Sequence, residues 1–127
     1  MNWISFVGVG LGAAFGAWLR WLLGLWLNPL FVSIPLGTLA ANLLGAYLVG
    51  AAVMLFHINT SLPPELRLFL VTGFLGGLTT FSTFSAEVVA LVRVDAWALA
   101  ATAASVHLFG SLLMTGLGIY TIQQLAK

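Results

Sequence analysis

The sequence predicts an all-α integral membrane protein of four transmembrane helices, and three observations carry that prediction. Of 127 residues, 61% are hydrophobic and 6% are charged, where a soluble domain has about 25% charged residues. A folded chain of this size keeps roughly a third of its unfolded surface in water, and four basic plus three acidic residues cannot make that surface polar. The charges are also spaced, at Arg20, Glu65, Arg67, Glu87, Arg93, Asp95 and Lys127, with long uncharged intervals between. A soluble monomer is excluded. A net charge of +1 from so few groups leaves no basic patch for nucleic acid, and the absence of cysteine removes disulfides, thiolate metal sites and a cysteine nucleophile together. His57 and His107 alone are too few for most zinc sites.

A helix crossing the hydrocarbon needs about 20 predominantly apolar residues, and the uncharged intervals supply four. The first span covers residues 3–27 and ends at Asn28-Pro29. It lacks the basic leader of a signal peptide and continues past Arg20, so it reads as a retained helix. The second covers 33–56, starting around Pro35; the third covers 66–92 and the fourth 96–124. Loops of about 5, 9 and 3 residues join them, so residues 1–127 read as a single four-helix membrane domain with no space for a catalytic one. In a four-span topology Arg67 and Lys127 share one side of the membrane, and Arg20 and Arg93 the other. Orientation follows the Lys/Arg difference across short loops. A zero difference predicts insertion both ways round and, in so small a chain, an antiparallel dual-topology homodimer.

Small residues allow close helix approach in lipid. The first span carries Gly8, Gly12 and Gly16 at successive fourth positions, and the second carries Gly37, Ala41 and Gly45. These stripes indicate tight packing and nothing about what passes through it. Polar residues say more, because at membrane depth they turn towards protein or an aqueous path. Asn42 lies mid-span beside the small-residue face, suited either to an interhelical hydrogen bond or to a pore. His107, Ser111 and Thr115 form one line along the fourth span, where the hydroxyls either bond to their own backbone or face a conduit.

The third span holds the least regular segment, Gly73-Phe74-Leu75-Gly76-Gly77-Leu78-Thr79-Thr80-Phe81-Ser82-Thr83-Phe84-Ser85. Adjacent glycines followed by Thr and Ser disfavour a helix, and a break at midspan is expected there. Carbonyls exposed at broken membrane helices commonly coordinate cations, and Gly76 and Thr79 are placed to offer such oxygens. Phe81 and Phe84 share one face and Ser82 and Ser85 the neighbouring one, with Thr83 between them. The phenylalanines are either packing or, because an aromatic ring has a positive edge, part of a lining for a small, partly dehydrated anion. Glu87, the acid well inside a span, is a proton-coupling carboxylate, part of an ion path, or a partner of Arg20 or Arg93.

The Gly-Gly-Leu-Thr-Thr-Phe-Ser-Thr-Phe-Ser string from Gly76 to Ser85 closely resembles the signature of the Fluc (CrcB) family of bacterial fluoride channels. The resemblance extends over the whole chain: its length, the four spans, Arg20 late in the first, Gly37 to Asn42 in the second and the polar stripe of the fourth. It implies passive fluoride export across the bacterial plasma (inner) membrane by an antiparallel homodimer with two pores, each lined by both subunits. Phe81 and Phe84 match the paired pore phenylalanines, Asn42 the pore asparagine, and Ser111 with Thr115 the polar track, with the hydroxyls of Ser82, Thr83 and Ser85 counted in the same lining. The carbonyls of Gly76 and Thr79 match positions holding a central structural Na⁺. Arg20 resembles the vestibule arginine and Glu87 the glutamate near one pore end, while His107 stands where some relatives carry tyrosine. The resemblance makes fluoride, the bilayer and a second copy of the chain the partners, with no nucleic acid.

The rival is a small multidrug-resistance-type exporter that exchanges protons for cations. That chemistry needs a carboxylate in the first helix, where this chain has none. A non-transporting assembly subunit would account for the glycine stripes but not for a midspan break lined by hydroxyls. No nucleophile and base pair points to an enzyme.

Overall fold

The computed structural model describes residues 1–127 as four helical passages, each long and apolar enough to cross a membrane. Helix α1 runs Trp3–Leu27. Asn2 starts it from an extended conformation, its side chain accepting the Ser5 N–H at 2.7 Å, a cap worth about 1 kcal/mol. A short 3₁₀ turn, Asn28–Leu30, places Pro29 where no N–H is required. Helix α2 runs Leu36–Ile58, three residues later than the expected start, because Pro35 is extended and serves as the cap residue. Asn28 Oδ1 accepts the Gly37 N–H at 2.7 Å, so the end of α1 caps the beginning of α2.

The third passage has two helical parts. The first, α3, covers residues 64–78: an α-turn at Pro64–Arg67, a wide π-helical stretch at Leu68–Leu75 and a last turn at Gly76–Leu78. Thr79 (φ −82°, ψ 154°) and Thr80 (φ −150°, ψ 114°) are extended, and α4 begins afresh at Phe81–Arg93. The glycine pair expected to interrupt the helix is itself helical, with Gly76 at φ −62°, ψ −37°. Gly77 is needed for proximity instead: a Cβ there would strike the backbone of Ala13 on α1. Asp95, at φ 58°, turns the chain between α4 and α5, a conformation that aspartate tolerates better than most residues. Helix α5 spans Trp97–Leu125.

Two seams hold these helices together, and both rest on missing side chains. Between α1 and α3, a Cβ on Gly12 would meet the Phe69 carbonyl, one on Gly16 the Phe74 carbonyl, and one on Gly73 the Val9 carbonyl at 2.8 Å. Between α2 and α5, Gly50 lies against the Thr115 carbonyl and Gly118 against the Tyr47 carbonyl. Gly8, read from sequence as the first member of a stripe, faces open space. Where the seams meet, Ala41, Leu75 and Leu78 form a small core packed by Leu19, Leu23 and Phe74 among others. All five tryptophans are more than half exposed, as befits amphipathic rings on a lipid-facing surface.

Candidate functional site

The site is organised by one side chain. Asn42, on α2, faces the two extended residues of the third passage and holds Thr80 at both of its backbone groups. Its Oδ1 accepts the Thr80 N–H at 2.8 Å, and its Nδ2 donates to the Thr80 carbonyl at 3.1 Å. In an apolar surround, backbone groups without partners cost several kcal/mol each. A carboxamide is the side chain that can satisfy both at once. The second Nδ2 hydrogen faces His107 Nδ1 at 3.1 Å. Both amide hydrogens are therefore engaged, so Asn42 acts in this geometry as a clamp on the interruption.

The clamp frees carbonyl oxygens. In an uninterrupted helix the Thr80 N–H would serve the Gly76 carbonyl and the Thr83 N–H the Thr79 carbonyl. Here the first goes to Asn42, and the second caps α4 by donating to Thr80 Oγ1 at 3.1 Å. Gly77 is the exception, since its carbonyl accepts from Arg20 Nε at 3.1 Å. Backbone oxygens of this kind suit a hard cation, whereas no cluster of His, Cys, Asp or Glu could hold a metal. Gly76 and Thr79 are the residues whose carbonyls lose their helical N–H partners in this way.

Beside the interruption lies a cleft of about 460 Å³ that gathers most of the residues singled out from the sequence: Asn42, Gly76, Thr79, Phe81, Phe84, His107, Ser111 and Thr115. Phe81 and Phe84 meet edge to face, ring centroids 5.5 Å apart at 70°. Phe84 also lies over His107 at 4.5 Å, tilted by 30°. The hydroxyls are not equivalent. Thr115 Oγ1 donates to the Ala46 carbonyl at 3.0 Å and Thr79 Oγ1 to the Leu75 carbonyl at 2.8 Å, so both hydrogens are spent on backbone. One wall is missing, for Phe81, Leu108 and Leu112 are 79%, 55% and 62% exposed.

A second cleft of about 380 Å³ opens on the other side of Thr80 and holds Arg20, Asn28, Thr38 and Thr83. Next to it, the Thr38 hydroxyl donates to Glu87 Oε1 at 2.6 Å, which makes Thr38 the hydrogen-bond partner of that acid. Ser82 and Ser85 join neither cleft and lie exposed on α4, Ser82 with its hydroxyl 3.3 Å from that of Thr80. Thr38 and Thr80 are the residues at the heart of this hydrogen-bonded arrangement that sequence reasoning did not single out. Thr38 lies one turn before Asn42 on α2, a spacing that could have drawn attention to it.

Comparison with known proteins gives one family. The family model described as "CrcB-like protein, Camphor Resistance (CrcB)" matches residues 7–119. A protein of Dechloromonas aromatica named "Fluoride-specific ion channel FluC" is 64% identical over 121 residues, covering 94% of this chain and 88% of that protein. A protein of the same name from Nitrosospira multiformis is 58% identical over 127 residues, covering 100% of this chain and 99% of its own length. One from Ralstonia nicotianae is 54% identical over 125 residues, covering 98% and 99%.

Proposed function

The chain belongs to the CrcB-like family, and we propose that it is a fluoride-selective channel that lets F⁻ leave the cytoplasm passively. Its relatives are named as ion channels and not as enzymes, and its four apolar passages make it a multi-pass membrane protein. The observation that carries the proposal is the cleft in which Phe81, Phe84, His107 and Ser111 converge beside the interrupted helix. Fluoride holds water strongly, so a conduit must replace hydration with close donors while leaving the ion free to depart. Ring edges and neutral donors meet both needs, and a cationic side chain in direct contact with the ion would trap it.

The exposed faces of Phe81, Leu108 and Leu112 support a pore completed by a second copy of the chain. Four balanced basic residues support an antiparallel arrangement, which gives two pores per dimer. Ser82 and Ser85 enter the path only when that second copy stands over α4. A Na⁺ held by the Gly76 and Thr79 carbonyls would supply positive potential near the anion path and join the two subunits at their interrupted helices. Arg20 and Glu87 flank the neighbouring cleft, where the ion still carries water. A proton-coupled exporter is disfavoured, since α1 has no carboxylate and Glu87 is engaged by Thr38.

Fluoride efflux from liposomes containing only this protein tests the proposal. Fluoride should leave far faster than chloride; equal rates would sink it. Phe81→Ile and Phe84→Ile should each sharply reduce that efflux while the dimer persists, and undiminished flux in both would make the rings mere packing.

A further inference from the structure

Threonines inside membrane helices spend their hydroxyl hydrogens on nearby backbone, and this chain does so repeatedly. Thr79, Thr102 and Thr121 each donate to the carbonyl four residues earlier at 2.8 Å, and Thr115 donates to the Ala46 carbonyl at 3.0 Å. Thr72 is different, for its side chain is exposed and makes no hydrogen bond. It stands in the π-helical stretch Leu68–Leu75, where bonds reach to the fifth residue back, as the Gly76 N–H does to the Val71 carbonyl. The wider turn carries the Leu68 carbonyl off the line that Thr72 would use, and the hydroxyl is left over. The passage begins at Pro64, so Thr72 lies about 12 Å along it, where an unpaired hydroxyl is costly. Ser105 on α5 is in the same position, exposed and without a hydrogen bond.

We infer that Thr72 hydrogen-bonds to Ser105 of the partner subunit, twice per dimer, and that this pair selects the antiparallel arrangement of the two copies. This rests on the dimeric reading above and deepens it by naming groups that set its orientation. The depths match only one way round. Thr72 precedes the extended residues Thr79 and Thr80, whereas Ser105 lies beyond them, because α4 and α5 form a hairpin about Asp95 that puts Ser105 level with Ser85. At 1.5 Å per residue, Thr72 stands roughly 10 Å to one side of the interruption and Ser105 roughly 8 Å to the other. A two-fold axis in the membrane plane through the interruption exchanges those depths and brings each Thr72 level with the other copy's serine. A parallel pair would leave them roughly 18 Å apart in depth. The faces agree as well. Thr72 lies one turn before Gly76, which is exposed and lines the larger cleft, and Ser105 lies on one face with the exposed Leu108 and Leu112 of the same cleft. Both hydroxyls therefore border the wall that the cleft lacks.

The chain has no cysteine, so introduced thiols report this contact directly. In membranes treated with a mild oxidant, the double variant Thr72→Cys, Ser105→Cys should run as a disulfide-linked dimer on a denaturing gel, since bonded hydroxyls bring their residues within reach of that bridge. Each single variant should run as a monomer. Linkage by Thr72→Cys alone, or none in the double variant, overturns the pair. Thr72→Val keeps the shape and loses the hydroxyl; its dimer dissociation constant in lipid should rise roughly tenfold, because two interhelical bonds are lost per dimer. Ser105→Ala should do the same, the two together no more than either, and Thr72→Ser should restore the wild-type value. Additive losses would give the hydroxyls separate partners and overturn the pair, and the cross-link decides the matter should Thr72→Val misfold. A wild-type protein that stays monomeric in lipid overturns the dimeric reading itself, whereas a wild-type dimer whose double variant fails to link sinks this inference alone.

Discussion

Residues 64–78 and α4 are consecutive parts of one membrane passage, yet they are held in different ways. The first part lies against α1 with backbone nearly touching backbone at Gly12, Gly16, Gly73 and Gly77, and buries Gly73, Leu75 and Leu78. Helix α4 buries no residue at all. It is fixed by the Asn42 clamp on Thr80, the Thr80 cap, the Thr38–Glu87 bond and the contact of Phe84 with His107. Dispersion and close approach are diffuse and tolerate small errors in angle; hydrogen bonds are few and directional. The packed half anchors the passage, and the hydrogen-bonded half carries the two phenylalanines that line the cleft.

Four substitutions bear on that contrast. The largest effect is expected from Gly16→Leu, since even a Cβ there would stand 2.7 Å from the Leu78 nitrogen and closer still to the Phe74 carbonyl. Overpacking costs about 1–3 kcal/mol where side chains can yield, and backbone cannot; size-exclusion chromatography should show little monodisperse protein. Asn42→Ala leaves both Thr80 backbone groups unpaired, a loss of about 2–6 kcal/mol at about 1–3 kcal/mol per group. Its melting temperature in detergent should drop clearly and its fluoride efflux should vanish. Thr38→Val removes the donor to Glu87 and should cost about 1–3 kcal/mol, with efflux falling less than in Asn42→Ala. Ser85→Ala is expected to change stability by less than about 0.5 kcal/mol; a larger shift in the melt would mean that α4 is packed as closely as residues 64–78.

The four passages were legible in the sequence to within three residues at every end, because charge and proline mark them and neither depends on tertiary contact. The place of the interruption was less legible. Propensity pointed to Gly76-Gly77, but Ala13 and its neighbours on α1 make those glycines useful within the helix, and the chain opens two residues later. What fixes that position is Asn42, 38 residues away in sequence. The Thr38–Glu87 bond spans 49 residues and the Asn42–His107 contact 65, so no local pattern announces either. The aromatic pair and the hydroxyl line were legible as periodic faces. Which hydroxyls keep a free hydrogen was not, since Thr115 spends its own on a carbonyl of the neighbouring helix.

The Asn42 clamp also imposes an order of assembly. A third passage entering the bilayer alone would carry the Thr80 N–H and carbonyl into hydrocarbon with nothing to bind them. Because α2 precedes it in the chain, its partner is already in the membrane when residues 79–80 emerge. Synthesis from the N-terminus delivers the lock before the part it secures, and a circular permutant that reversed the two would have to insert a severed helix unaided.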